Sequence, residues 1–327
     1  MRALIFDRPA NDASTTRVGE LPTPDPGPGE LSIDVRAAGV NFIDVMARRG
    51  DPGYADGWPF VPGLEVAGTV RALGPGVEGP AVGTPVAAFT RAGGLAEVVT
   101  VRAELAIRLP DGVPFEQAAA APGTLTTAAL LIGQAARLRT GESVLVHSAA
   151  GGVGSALASW ARLHGAGLLI GTTGSPARVA AAEAAGYDAV LVRGEDVAAR
   201  VRELTSGRGV DVVLDSQGTT QVELDLDLLA AGGRVVLYGN ATGEPLGQLP
   251  APGRLYGGNA SIAGFSMSSM SKNAPGLIGE ALTEVLQLTA AGKLTIDVTV
   301  VDGLAAAADA QQALADGRGT GKYVVRL

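Results

Sequence analysis

Val144-Leu145-Val146-His147-Ser148-Ala149-Ala150-Gly151-Gly152-Val153-Gly154 is the stretch on which the reading of this chain turns. Three apolar residues form a short strand-like run. The last six residues then fit G-x-G-x-x-G, with Ala149 in the first place. Glycine at 151 lets the backbone approach a pyrophosphate closely, and Gly154 lets the following helix pack against the strand. A helix beginning near Val153 aims free N–H groups and the positive end of its dipole at the phosphates. Ala150, Gly151, Gly152 and Val153 are therefore the expected phosphate contacts of a bound dinucleotide.

A glycine motif alone says little, but its surroundings here are specific. From residue 143 onward strand-like runs (143–147, 167–172, 189–192, 211–214, 234–238 and 261–265) alternate with Ala-rich helical segments (153–164, 176–185, 196–206 and 221–230). That alternation predicts a parallel sheet covered on both faces by helices. Six strands complete a Rossmann-type doubly wound domain.

The first third has another texture. Short apolar runs at 31–35, 66–70, 85–89 and 96–101 are broken by Gly/Pro clusters, which predicts a small barrel-like β domain. Helical segments follow at 115–121 and 126–139. After 265 come a loop rich in Ser and Met, an amphipathic helix around 281–291, a strand at 296–300, an Ala-rich helix and a last strand at 323–327. This tail is expected to return to the first domain.

Composition narrows the function classes. A chain of 327 residues is long for one core, and 46% hydrophobic residues supply material for two. A net charge of −8 without a Lys/Arg run argues against nucleic-acid binding. No uninterrupted apolar run reaches the length of a membrane span. The opening Met1 to Asp7 reads as a strand rather than a leader, so the cytoplasm is the expected location. Cysteine is absent, which excludes disulfides, a thiolate nucleophile and thiolate zinc sites. Only His147 and His164 supply imidazole, on a strand end and a helix end, so a metal-free chemistry is expected.

The cofactor can be narrowed further. An NAD site places an acid about 20 residues after the turn to hold the ribose 2′-hydroxyl. The corresponding Gly171-Thr172-Thr173-Gly174-Ser175-Pro176-Ala177-Arg178 holds none. Arg178 could bind a 2′-phosphate through its planar fork, and Arg193 could reach the same pocket. NADPH is the expected cofactor.

Spaced matches along essentially the full length resemble a zinc-free group of the medium-chain dehydrogenase/reductase superfamily, the quinone oxidoreductases of zeta-crystallin type. They include Ala38-Gly39-Val40-Asn41-Phe42-Ile43-Asp44, Pro62-Gly63-Leu64-Glu65-Val66-Ala67-Gly68, Gly94-Leu95-Ala96-Glu97, Gly207-Arg208-Gly209-Val210-Asp211 and Gly321-Lys322-Tyr323-Val324-Val325. In zinc-dependent relatives a cysteine stands at the place of Asn41 and a histidine at the place of Leu64. The resemblance implies a GroES-like β-barrel catalytic domain, residues 1–122 completed by 266–327, and a Rossmann domain at 123–265, with the cofactor in the cleft between them. It implies a dimer, roles at the nicotinamide end for Asn41, Thr127, Phe265 and Met267, and a place lining the cofactor cleft for Asn240. Gly174 and Arg178 resemble positions around the 2′-phosphate.

Without a metal, the oxygen that gains charge needs donors from side chains or from cofactor hydroxyls. Asn41 offers an amide N–H, and Tyr54 stands near the place where related enoyl reductases carry a proton-donating tyrosine. Asp44 is a candidate either for catalysis or for capping the helix that follows it. Glu65 and His147 read as structural. Three functions are then open: NADPH-dependent reduction of a quinone or conjugated carbonyl, reduction of an activated C=C bond in lipid or polyketide tailoring, and NADPH binding without turnover.

Overall fold

A computed structural model describes every residue except Thr320. The chain divides into two compact units, Met1–Thr126 with Met267–Leu327, and Thr127–Ser266.

The first unit begins with the antiparallel pair β1 (Arg2–Phe6) and β2 (Thr16–Glu20). β3 (Glu30–Val40), β4 (Glu65–Leu73), β5 (Pro85–Phe89), β6 (Val98–Arg102) and β7 (Ala106–Arg108) follow. β3 is long enough to serve two neighbours along one edge. Its Glu30–Asp34 part pairs with β6, and β4 lies on its other edge with two register shifts, which bend and twist the pair. The helix Phe42–Arg49 leaves the end of β3 and stops at Gly50, whose φ of 80° makes a left-handed cap.

The second unit contains β8 (Val144–Val146), β9 (Leu169–Thr173), β10 (Ala189–Val192), β11 (Val210–Asp215), β12 (Leu229–Leu237) and β13 (Ser261–Gly264). All pair in parallel, in the order β10-β9-β8-β11-β12-β13. This is the doubly wound order 3-2-1-4-5-6. Every residue of β8 and β9 is buried, as strands covered on both faces must be. One face packs Leu145, Ile170, Val213 and Val235 against Val197, Val201 and Leu228 of the helices Val197–Leu204 and Val222–Leu228.

β14 (Val298–Asp302) and β15 (Lys322–Arg326) complete the first unit. β15 lies parallel to β14 and antiparallel to the Ala37–Val40 end of β3, which gives a seven-stranded sheet.

Two local expectations shift. The helix expected at 115–121 ends at Ala118, and a π-helical turn, Ala121–Leu125, follows; Pro122 there has no N–H for an ordinary helical bond. The helix expected at 126–139 widens into a second π turn after Leu130 and stops at Arg137, which has a φ of 52°. Between β12 and β13 lies the helix Pro252–Gly258, opened by proline at its first position. Among the described residues no helix is long and apolar enough to cross a membrane.

Candidate active site

The glycine turn of the second unit has the form its spacing requires. After β8 the chain passes through Ser148, a non-glycine residue with φ 59°, and enters the helix Gly152–Leu163 at Gly151. Ser155 N–H donates to Gly151 O at 2.8 Å, so the helix bonds begin behind Gly152 and Val153. The N–H groups of that first turn are the ones available to an anion. A Cβ on Gly154 would sit 2.4 Å from Ser148 O and 2.6 Å from Ala149 O, so the turn closes only around glycine. The cradle thus fits a pyrophosphate.

Gly174 and Arg193 meet at the ends of β9 and β10: a Cβ on Gly174 would lie 2.6 Å from Arg193 Nη2. Arg178 Nη2 donates to Ala150 O at 3.1 Å, which ties this side chain back to the glycine turn. Burial and the neighbouring Arg193 guanidinium both pull its pKa below the usual arginine value. Arg193 donates to Gln217 Oε1, and Gln217 Nε2 donates to Ser148 Oγ at 2.7 Å. Gln217 therefore links the arginine pair to the turn, a role that the sequence reading missed. Two neighbouring guanidiniums of like charge fit a dianionic phosphate.

Beneath the turn lies a buried cluster. His147 Nδ1 is 2.8 Å from Thr172 Oγ1, and His147 Nε2 is 2.8 Å from Asp225 Oδ1. Asp215 accepts the Gln217 N–H at 2.6 Å. Burial, with the Asp225 charge second, pushes the Asp215 pKa up to about 7. Burial alone would lower the His147 pKa, but the Asp225 carboxylate outweighs it and holds the imidazole above its ordinary value. Among the described residues this trio is the one group of His, Asp and Glu close enough to share an ion. One signal for Asp225 stood in the sequence: it interrupts an apolar stripe with Val222 and Leu228 at a spacing of three.

The other candidates of this unit are distributed along it. Thr127 is nearly buried. Asn240 shapes a tight turn, donating to Glu244 O at 2.9 Å and accepting from the Thr242 hydroxyl at 3.1 Å. Phe265 continues the edge beyond β13, its N–H bonded to Leu237 O at 2.8 Å.

In the first unit Asn41 heads the helix Phe42–Arg49. Its backbone N–H donates to Asp44 Oδ2 at 2.8 Å, and Asp44 Oδ1 accepts the Gly63 N–H at 2.9 Å. Burial pushes the Asp44 pKa up to about 6 against those two bonds. Both carboxylate oxygens thus hold backbone, which is the capping alternative of the sequence reading. The Asn41 side chain lies between two buried charges. Its Nδ2 donates to Glu65 Oε1 at 2.8 Å and its Oδ1 accepts from Lys322 Nζ at 2.6 Å. Tyr54 sits half-buried in a turn after Asp51, and its pKa is raised by burial and by the Asp51 charge. Met267 opens the helix Met267–Asn273.

A GroES-like β unit joined in sequence to a doubly wound dinucleotide unit defines a class, the two-domain dehydrogenases and reductases. Family models agree: residues 27–111 match "Alcohol dehydrogenase GroES-like domain" and residues 152–288 match "Zinc-binding dehydrogenase". The chain is 38% identical to a quinone oxidoreductase of Pseudomonas aeruginosa over 308 residues, covering 92% of each protein. It is 34% identical, over 97% of its own length, to 15% of a mycocerosic acid synthase-like polyketide synthase of Mycobacterium tuberculosis. The structure of an Escherichia coli quinone oxidoreductase complexed with NADPH superposes with a TM-score of 0.91 at 30% identity, covering all of both chains. This chain belongs to the quinone oxidoreductase group of the medium-chain dehydrogenase/reductase superfamily, and it is an oxidoreductase.

Proposed function

We propose that the protein is an NADPH-dependent reductase that transfers hydride to a quinone or a related conjugated carbonyl without a metal ion. The arginine pair beside Gly174, with no carboxylate between Gly171 and Arg178, carries this reading. A 2′-phosphate at that point relieves the mutual repulsion of Arg178 and Arg193, whereas a bare ribose hydroxyl does not.

When bound, the dihydronicotinamide supplies the hydride. The chain's own residues bind, orient and donate. Ala150 to Val153 present backbone N–H groups to the pyrophosphate. Thr127, Phe265 and Met267 are assigned to the nicotinamide end, and Asn240 to the lining of the cofactor cleft. Asn41 offers an N–H to the oxygen on which charge develops, and Asp44 fixes the helix that carries it. Tyr54 stays protonated at neutral pH and so carries a hydroxyl able to donate a proton, although burial and the Asp51 charge make it a weaker acid than a free phenol.

Nicotinamide absorbance recorded with a panel of quinones and enones, with NADPH and NADH in parallel, tests the reading. Arg178→Ala should raise KM for NADPH tenfold or more and leave that for NADH unchanged. Equal use of NADH, indifferent to this substitution, would sink it. The match to part of a polyketide synthase favours a second reading, C=C reduction. That reading gains if Tyr54→Phe sharply slows enone reduction but spares quinones.

We also assign the protein to the cytoplasm and to a homodimer. The edge strand β13 follows a segment that exposes Leu246, Leu249 and Tyr256, apolar surface of the kind that pairs with a second copy. Sedimentation reads the mass directly.

A further inference from the structure

Lys322 is one of three lysines in a chain that otherwise uses arginine, and it is 2% exposed. A buried ammonium is costly unless each of its three donors finds an acceptor. Here all three do. Nζ bonds to Val40 O at 3.0 Å and to Asn41 Oδ1 at 2.6 Å, and it forms an ion pair with Glu65 Oε1. Glu65, itself fully buried, is held from its other side by the Gly123 N–H at 2.6 Å. Two glycines make room for it. A Cβ on Gly39 would sit 2.4 Å from Glu65 Oε1, and one on Gly123 2.9 Å from Oε2.

This arrangement fixes Asn41 without ambiguity. A lysine only donates and a carboxylate only accepts. The amide oxygen must therefore face Lys322 and the amide nitrogen must face Glu65; a flipped amide would set N–H against N–H and oxygen against oxygen. One Nδ2 hydrogen is spent on Glu65 Oε1. The second makes only a long bond to Gly39 O at 3.4 Å, on the partly buried edge of Asn41 from which an incoming oxygen can draw it, while both charges behind it are buried.

We propose that Lys322 is a positioning residue of the reductase site: with Glu65 it locks the Asn41 carboxamide so that its outward edge is a hydrogen-bond donor and never an acceptor. The ligand group this edge takes is an oxygen that gains negative charge, the carbonyl or quinone oxygen of the substrate. The inference rests on the assignment of Asn41 above to that oxygen. A donor held in place before the reaction costs no reorganisation when the charge develops, so the lock acts on kcat more than on KM.

The test compares Asn41→Ala, Lys322→Met and the double variant in turnover, NADPH affinity by fluorescence titration, and the ¹⁵N-resolved hydrogen exchange of the Asn41 side-chain amide. The lock predicts one protected and one exchanging Nδ2 hydrogen in the native protein, and loss of that protection in Lys322→Met. It predicts a fall in kcat of about 30-fold or more in each single variant, little further loss in the double, and NADPH affinity within threefold of native in Lys322→Met. If Lys322→Met does not fold, Lys322→Arg decides. A planar guanidinium keeps the charge but cannot reproduce three tetrahedral donors, so kcat should still fall at least tenfold in a stable protein. Native kcat in a folded Lys322 variant, or losses that multiply in the double, overturns the proposal. A protected amide combined with native turnover in Asn41→Ala instead overturns the assignment of Asn41 to the substrate oxygen, and leaves the lock as a purely structural device.

Discussion

At Gly154 one methyl group is enough to disturb the dinucleotide turn. Its Cβ would meet two backbone oxygens well inside contact distance, and neither can rotate away. Overpacking of this kind costs about 1–3 kcal/mol. At Gly151 the nearest atom to an added Cβ is Ser148 O at 3.2 Å, which a small adjustment relieves. The two glycines therefore do different work, and their alanine variants should separate. Gly154→Ala should lower both the melting temperature and NADPH affinity. Gly151→Ala should melt like the native protein yet bind NADPH at least tenfold more weakly, because the methyl group occupies the approach of the pyrophosphate. Paired thermal melts and fluorescence titrations decide this, and native affinity in both variants would refute it. Both glycines were legible in the sequence because their requirement is local. Lys322 was visible only as part of a family-like motif, and its partner Asn41 stands 281 residues away. Nothing local announces a pairing made when β15 is laid beside β3.

Between elements, the cluster of His147 at the end of β8, Asp215 at the end of β11 and Asp225 on the helix Val222–Leu228 makes stability depend on pH. Oδ2 of Asp215 and Oδ2 of Asp225 are buried and accept no other hydrogen bond, so a proton held on Asp215 can be donated to the Asp225 carboxylate. Arg193, whose charge opposes protonation of His147, and Tyr238, beside Asp215, are the other ionisable groups that face the cluster. The sign follows from proton counting. The folded Asp215 keeps its proton up to about pH 7, whereas an unfolded aspartate releases it near pH ~4. His147 likewise holds its proton more tightly when folded. The native state thus binds more protons across this window, and the cluster's contribution is lost as pH rises through about 7. The melting temperature should fall by several degrees between pH 6 and pH 8, and Asp225→Asn should flatten that slope; scanning calorimetry at the two pH values checks both. At this scale the alternation of strands and helices was readable from β8 onward, because buried parallel strands are continuous apolar runs. The π turns at Ala121–Leu125 and Leu131–Ala136 were not, since a widened turn keeps the composition of an ordinary helix.

Across the whole molecule the two units differ in how the chain builds them, and this predicts how each survives alone. The Rossmann unit, Thr127–Ser266, is one continuous segment that holds all six strands and every member of the His147 cluster. The first unit is closed by strands from the far end of the chain. Without β15 the Ala37–Val40 end of β3 loses its partner on one edge, and Glu65 is left buried without its cation. Removing one partner of a buried ion pair costs about 3–5 kcal/mol, a large share of a domain's stability. The fragment 127–266 should therefore unfold cooperatively by itself, keep the fall in stability between pH 6 and pH 8, and bind NADPH. The fragment 1–126 should not reach a folded state. Joining 267–327 to it through a flexible linker should restore cooperative melting, and Lys322→Met in that joined protein should lower its melting temperature. Circular dichroism melts of the fragments measure each step. Cooperative folding of 1–126 by itself would show that the returning tail adds the Lys322 lock to a unit already formed, rather than completing its fold.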